Sequence, residues 1–179
     1  MKILKGILLF LVILVGIGLI TALFVKSTYS VEREIIINRT EQDVFNYVKF
    51  LKNQNNYSKW ATMDPAMKQN FKGIDGMAGF VSSWESNRKD VGKGEQTILK
   101  VTEGQRIDYE LHFIEPFEGK AQAHMTTDLM TDTSTLVTWG FSSKMKYPMN
   151  LMLLFMDMEN MIGNDLSTGL SNLKVLLEK

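Results

Sequence analysis

Residues 31–48 read VEREIIINRTEQDVFNYV, and the change of period in the middle of this stretch sets the fold class. Val31 to Ile37 alternates at first and then runs continuously apolar, the pattern of a β-strand entering a buried sheet. Thr40 is placed as a helix N-cap, and Glu41 and Asp43 put negative charge in the first turn, where the helix dipole favours it. Val44, Tyr47, Val48 and Leu51 then recur at three- and four-residue spacing, one face of an amphipathic helix. Asn53, Asn55 and Asn56 end that helix, and Tyr57 to Trp60 fit one further short turn.

Downstream, from Asn70 to Met145, the period is two. Phe80, Ser82 and Trp84 share one face; Ile107, Tyr109, Leu111 and Phe113 alternate with Asp108, Glu110, His112 and Ile114. Ala121, Ala123, Met125, Thr127 and Leu129 follow, and Thr135, Val137, Trp139 and Phe141 close the series. Gly, Asn, Asp and Pro punctuate the runs at 87–94, 103–104, 116–119 and 131–134. Such short connections imply an antiparallel meander of six strands with one apolar face. From Pro148 onward, Met152, Phe155, Ile162, Leu166, Leu170, Leu173 and Leu177 form a helical stripe over about thirty residues, long for a globular helix. Gly163 and Gly169 sit inside it, each costing about 0.5–1 kcal/mol relative to Ala, so a packing reason or a break is expected there. A sheet with one apolar face needs a cover, and this helix is the element long enough to provide it. The expected architecture is therefore α+β: a curved antiparallel sheet gripping a long C-terminal helix, the helix-grip arrangement, with a cavity between the two.

Upstream of Val31 the chain has a different character. Gly6 to Val25, between Lys5 and Lys26, is twenty residues without a charge. As a helix it spans about 30 Å, the hydrocarbon thickness of a bilayer. A secretory signal peptide has a shorter apolar region and a small-x-small cleavage site; Leu23-Phe24-Val25-Lys26 is a poor match, and Thr28-Tyr29-Ser30 a weak one. The run therefore reads as an uncleaved anchor. Lysines nearly tie across the span, and the very short basic N-terminus orients it with the C-terminal domain outside the cytoplasm, a single-pass protein of the cell membrane. Gly18 and Ala22 form a small-xxx-small pair of the kind that lets two spans approach. The chain divides into a short basic N-terminus (1–5), a transmembrane helix (6–25), a linker (26–30) and one domain (31–179).

The whole chain of 179 residues balances 20 basic against 20 acidic side chains. Its first 26 residues hold three Lys and no acid, which leaves the domain with 17 basic and 20 acidic groups. That mildly acidic balance argues against nucleic acid as a partner. The absence of cysteine excludes disulfide scaffolds, Cys-ligated metals and thiol nucleophiles.

The fragments VEREIIINRTEQDVFNYV, NYSKW, MDPAMKQNFKG, GFVSSWESNRKDVGKGEQTI, TSTLVTWGF and GLSNLK, in this order and spacing from Val31 to Lys174, resemble the START-like (SRPBCC) superfamily of polyketide cyclase/dehydrase and lipid-transport proteins. The likeness is strongest to its small bacterial membrane-anchored members. It implies the helix-grip fold and an interior hydrophobic cavity. It does not imply a reaction, because one fold hosts many functions.

Chemistry-bearing motifs are sparse. The two histidines, His112 and His124, fall on the strand positions that face solvent, so no metal site is assigned. Gly92-Lys93-Gly94-Glu95 precedes a strand and lacks a phosphate loop's ending, so it reads as a hairpin turn. Acid–base work would need Tyr109 or Glu95 inside the cavity, and Tyr109 reads better as core. No catalytic residue and no cofactor is assigned. The expected cavity residues are Trp84, Tyr109, Phe113, Met125, Trp139, Phe141, Met152 and Phe155, holding a hydrophobic small molecule or lipid. Twelve methionines is high for this length, and six fall between Met145 and Met161. Met149 to Met161 is apolar on more than one helical face, so it is a candidate for a portal, a membrane contact or a protein partner. A membrane-tethered binding module, a protein-interaction module and a cyclase/dehydrase-like enzyme are the three readings, in that order.

Overall fold

A computed structural model describes residues 2–179; Met1, part of the basic N-terminus expected at 1–5, lies outside them. The apolar run is helix α1, Lys2–Phe24, so most of that N-terminus is continuous with the expected span. This helix is long and apolar enough to cross a membrane. From Ile3 onward its residues are mostly exposed, and near its end Ala22 is buried. Only residues 25–27 separate α1 from β1, Thr28–Ile37. The stretch 28–30, expected as connector, is strand: Thr28, Tyr29 and Ser30 pair with Lys144, Ser143 and Ser142, because the partner strand runs on far enough to satisfy their backbone groups.

The domain continues as α2 (Glu41–Val48), a 3-10 helix (Leu51–Asn56), a one-turn α3 (Lys59–Thr62) and six strands. These are β2 (Lys68–Lys72), β3 (Val81–Glu85), β4 (Lys93–Thr102), β5 (Arg106–Glu115), β6 (Gly119–Thr131) and β7 (Ser134–Lys144). All seven strands form one antiparallel sheet in the order β1-β7-β6-β5-β4-β3-β2. Thr40 caps α2 as expected, its hydroxyl accepting from the Asp43 amide at 3.2 Å. The face that α2 buries is Val44, Phe45 and Val48, turned slightly from the expected stripe, with Tyr47 at its margin. Asp75 caps the 3-10 helix, taking the Leu51 and Lys52 amides at 2.7 and 3.1 Å.

The C-terminal helix departs from expectation. It is α4, Met158–Leu177, shorter than the stripe read from Pro148. Asp157 caps it, accepting from the Asn160 amide at 3.0 Å, and a separate 3-10 helix, Met149–Leu154, precedes it. An Asp with a free helix end to cap starts a new helix rather than extending an old one. Both interior glycines have a packing reason. A Cβ on Gly163 would occupy the place of the Arg33 guanidinium, and one on Gly169 would lie 2.7 Å from Trp139 Cζ3. At the far end, Arg39 donates to the carbonyls of Leu177 and Lys179 at 2.5 and 2.8 Å, meeting acceptors that a helix terminus leaves unpaired.

Between α4, α2 and the concave face of the sheet lies a core of Phe45, Tyr57, Ile98, Ile107, Tyr109, Met125, Val137, Leu166, Leu170 and Leu173, each at most 1% exposed. Register fixes what lies beside what on that face. Arg33, Trp139, Met125 and Ile107 form one cross-strand row, and Val31, Phe141, Ala123, Tyr109 and Ile98 the next. Leu111, Gln96, Ser82 and Phe71 follow, and Phe113, Gly94, Trp84 and Gln69 lie outermost.

Candidate ligand cavity

Toward the outer two rows the concave face is not filled by core side chains, and Trp139, Phe141 and Ala123 of the first two rows border the space left. A cavity of about 350 Å3 opens there, within the roughly 300–1,000 Å3 range of small-molecule sites. Its floor is sheet: Trp84, Gln96, Leu111, Phe113, Ala123, Trp139 and Phe141. Its roof is Ile162 and Leu166 of α4 with Trp60 of α3, and one wall is Leu51, Gln54 and Ser58. The floor is low where Ala123 stands. Gly94 has no side chain because the Trp84 ring lies directly on it, and Trp84 Nε1 donates to Val91 O at 3.3 Å.

Aromatic packing stiffens the walls. Trp139 meets Tyr57 edge-on at 5.8 Å and Trp60 edge-on at 6.0 Å, and Trp84 meets Phe113 edge-on at 6.0 Å, the geometry that ring quadrupoles favour. All three tryptophans of the chain therefore line this one space. At the mouth, the 63–67 and 86–91 segments are clipped together. Ser86 Oγ donates to Asp64 Oδ2 at 2.5 Å, and Arg88 to the Met63 carbonyl at 3.0 Å. The Ser86 hydroxyl and then the Ala66 amide hold the Asp64 carboxyl below the usual carboxylate range.

The polar lining is uncharged inside. Asn55 and Gln69 satisfy each other, exchanging amide hydrogen bonds of 2.7 and 2.9 Å. Gln54 does not: it is 7% exposed, and its Nε2 lacks a partner. The Tyr109 hydroxyl beside it is also sealed from solvent without a completed hydrogen bond. Burial drives the Tyr109 pKa well up, opposed in part by Gln54, so this phenol stays neutral. Ionisable lining groups, among the described residues, are Asp90 and Glu115 at the rim. Asp90 is held by Arg88 at 2.6 Å and Glu115 by Lys93 at 3.5 Å.

Of the residues expected at the cavity, Trp84, Phe113, Trp139 and Phe141 line it. Tyr109 and Met125, 0% and 1% exposed, lie on the same face in the core beside it, next to Ala123 and Trp139. The assignment of Met152 and Phe155 to the cavity is corrected: they are 38% and 86% exposed, because the break at Asp157 turns their segment away from the sheet. Glu95 is not cavity-side either; it faces outward beside His112, 3.7 Å from Nδ1. His124 lies on the same outer face, where its ring covers Gly140, and Glu32 approaches its Nε2 to 3.3 Å. Burial there, aided by Arg106, lowers the His124 pKa. Among the described residues no group of three His, Asp or Glu is placed to hold a metal ion. Among the lining residues not anticipated from sequence, one wall comes from the 51–67 segment: Leu51, Gln54, Ser58, Met63 and Met67. Their only signal was the apolar–polar mixture in NQNNYSKWATMDPAM.

No protein-family model matches the chain, and no curated protein matches it by sequence. Solved structures do. Norcoclaurine synthase from Thalictrum flavum, in complex with dopamine and hydroxybenzaldehyde, superposes with a TM-score of 0.61 over 84% of this chain and 87% of that one, at 11% identity. The Aha1 dimer from Colwellia psychrerythraea gives 0.58 over 84% and 96%, at 12% identity. A protein from Nitrosospira multiformis gives 0.56 over 83% and 96%, at 15% identity. At such identities the likeness defines the fold: this is a helix-grip, Bet v1-like domain carrying an N-terminal apolar helix. That fold is consistent with the START-like superfamily and compatible with binding a hydrophobic ligand.

Proposed function

We propose that this protein is a membrane-anchored module that binds a hydrophobic small molecule or lipid between the sheet and α4. The observation that carries the reading is the lining: six aromatic rings (Trp60, Trp84, Phe113, Phe117, Trp139 and Phe141) around a space of about 350 Å3, with carboxylates only at the rim. Apolar walls with few oriented polar groups are what binding sites for uncharged ligands offer. The lining favours binding over acid–base catalysis, because its two carboxylates sit at the rim and are already engaged by Arg88 and Lys93. The norcoclaurine synthase structure, a complex with two small aromatic molecules, supports a fold able to house such ligands. The anchor is α1, with Lys2 and Lys5 on the cytoplasmic side and the domain outside the cytoplasm.

The test uses the full chain in a non-ionic detergent, with native mass spectrometry for co-purifying ligand and tryptophan emission as the titration signal. Binding should shift emission, because each tryptophan lines the cavity. Ala123→Phe, which raises the floor, should weaken binding at least about tenfold, or 1.4 kcal/mol, while the domain stays folded by circular dichroism. A wild-type protein without bound ligand and without an emission response to fatty acids, isoprenoids and small aromatics overturns the reading.

A further inference from the structure

The chain carries a second apolar surface, outside the cavity and next to α1. Residues 147–156, YPMNLMLLFM, hold no charge between Lys146 and Asp157. The 3-10 helix they form is fastened to the last turns of α1. Tyr147 Oη donates to the Leu19 carbonyl at 3.2 Å. Asn150 Nδ2 donates to the carbonyls of Ala22 and Val25 at 2.7 and 3.0 Å. Leu151 Cδ1 lies against Gly18, 3.9 Å from where a Cβ would stand. Asn150 and Ala22 are buried at this contact, 3% and 2% exposed.

Depth follows from these partners. At 1.5 Å per residue, Leu19 stands about 7.5 Å along the helix axis from Phe24, where α1 ends, on the hydrocarbon side. An element bonded to Leu19, Ala22 and Val25 therefore shares the depth of the last turns of the span. There it presents Met149, Met152, Leu154 and Phe155, which are 49%, 38%, 56% and 86% exposed. The lone amide in this apolar decapeptide has a matching explanation. The final carbonyls of a helix lack intrahelical partners, and in hydrocarbon no water can satisfy them; Asn150 supplies donors to two positions near the end of α1.

We infer that residues 147–156 are a second membrane-inserted element, a foot that packs on α1 and buries Met149, Met152, Leu154 and Phe155 in the hydrocarbon of one leaflet. Its partner is the lipid bilayer. This rests on the reading of α1 as a membrane span and adds to it that the domain is seated on the surface at a second place.

The experiment exploits the absence of native cysteine. Full-length Leu154→Cys and Phe155→Cys are reconstituted in phosphatidylcholine vesicles, with Leu14→Cys in the middle of α1 and Glu103→Cys in the turn between β4 and β5 as references. Reaction with a membrane-impermeant maleimide, added on both sides of the bilayer, is timed. A fluorophore attached in detergent before reconstitution is then challenged with nitroxide-labelled lipids. The expected result is that Leu154→Cys and Phe155→Cys react at least about tenfold more slowly than Glu103→Cys, as groups withdrawn into hydrocarbon do, and that shallow nitroxides quench them more than deep ones. Leu14→Cys should be protected and quenched most by deep nitroxides. If Leu14→Cys is protected while Leu154→Cys and Phe155→Cys react like Glu103→Cys, the foot is refuted and the anchor stands. Free reaction at Leu14→Cys overturns both. Protection at 154 and 155 without quenching by any lipid label means that protein covers the segment, and the lipid assignment fails.

Discussion

Replacing Gly169 by Ala sets two effects of known size against each other. On an isolated helix the change stabilises, since an interior Gly is about 0.8–1.0 kcal/mol worse than Ala. In α4 the new methyl would lie 2.7 Å from Trp139 Cζ3 and 3.5 Å from the Tyr57 carbonyl. The indole has little room to retreat: it is 3% exposed, with Tyr57 and Trp60 set edge-on at 5.8 and 6.0 Å. Overpacking of this kind costs about 1–3 kcal/mol, so the packing penalty wins and the variant should lose about 1 kcal/mol net. For a chain of this size that lowers the melting midpoint by about 2–4 °C. Urea unfolding followed by far-ultraviolet circular dichroism in non-ionic detergent measures it. The decisive control is the same change in a Trp139→Phe background, where the outer indole ring is gone. There Gly169→Ala should recover the helix gain and raise stability by up to about 1 kcal/mol relative to Trp139→Phe alone. If Gly169→Ala by itself raises the urea midpoint, the indole is not seated on Gly169 and the account of the cavity floor is wrong.

Gly163→Ala should behave differently, because the group it meets is the end of the flexible Arg33 side chain. Its urea midpoint should hold or rise by up to about 1 kcal/mol, and a loss like that of Gly169→Ala would show that Arg33 is fixed in place. Asn150→Leu removes the bonds to Ala22 and Val25 and should loosen the seat of the domain on α1 by about 1–3 kcal/mol, read as faster amide exchange around residues 22–28; unchanged exchange would deny the contact. His124 is a base whose folded pKa lies below its ordinary value through burial and Arg106. The unfolded chain therefore binds the proton more tightly, and stability falls as pH drops from about 6.5 to the lowered folded pKa. Melting midpoints from pH 7.5 to 5 should show that loss, and His124→Gln should flatten it.

Much of the fold was legible because period and punctuation are local signals. The alternation from Ile107 to Phe113 and the Thr40 cap each report their own few residues, and a meander needs little more. The cavity was legible on its sheet side for the same reason: Trp84, Phe113, Trp139 and Phe141 follow from strand parity. Its other wall was not, because Gln54 sits on a short 3-10 helix and Ser58 and Met63 flank a single helical turn, where no repeat reveals which way a side chain points. The C-terminal segment misled for a physical reason. Met152 and Phe155 continue the helical stripe of Ile162 and Leu166 by spacing, yet Asp157 caps a new helix between them. Periodicity carries no information across such a break. Gly163 and Gly169 did signal close approach, but the Arg33 and Trp139 groups that come close are distant in sequence and supplied by strand pairing.

The three residues between α1 and β1 have a consequence for range. Three residues reach at most about 11 Å when fully extended, and here they run directly into a strand paired along its whole length. With α1 in a bilayer, the domain is on a very short leash. It cannot ferry cargo from one membrane to another, as a freely diffusing carrier does. Anything it takes up or gives away must be exchanged with the lipids beneath it or with a neighbour that comes within touching distance, so its traffic is lateral and its concentration is counted per unit of membrane area.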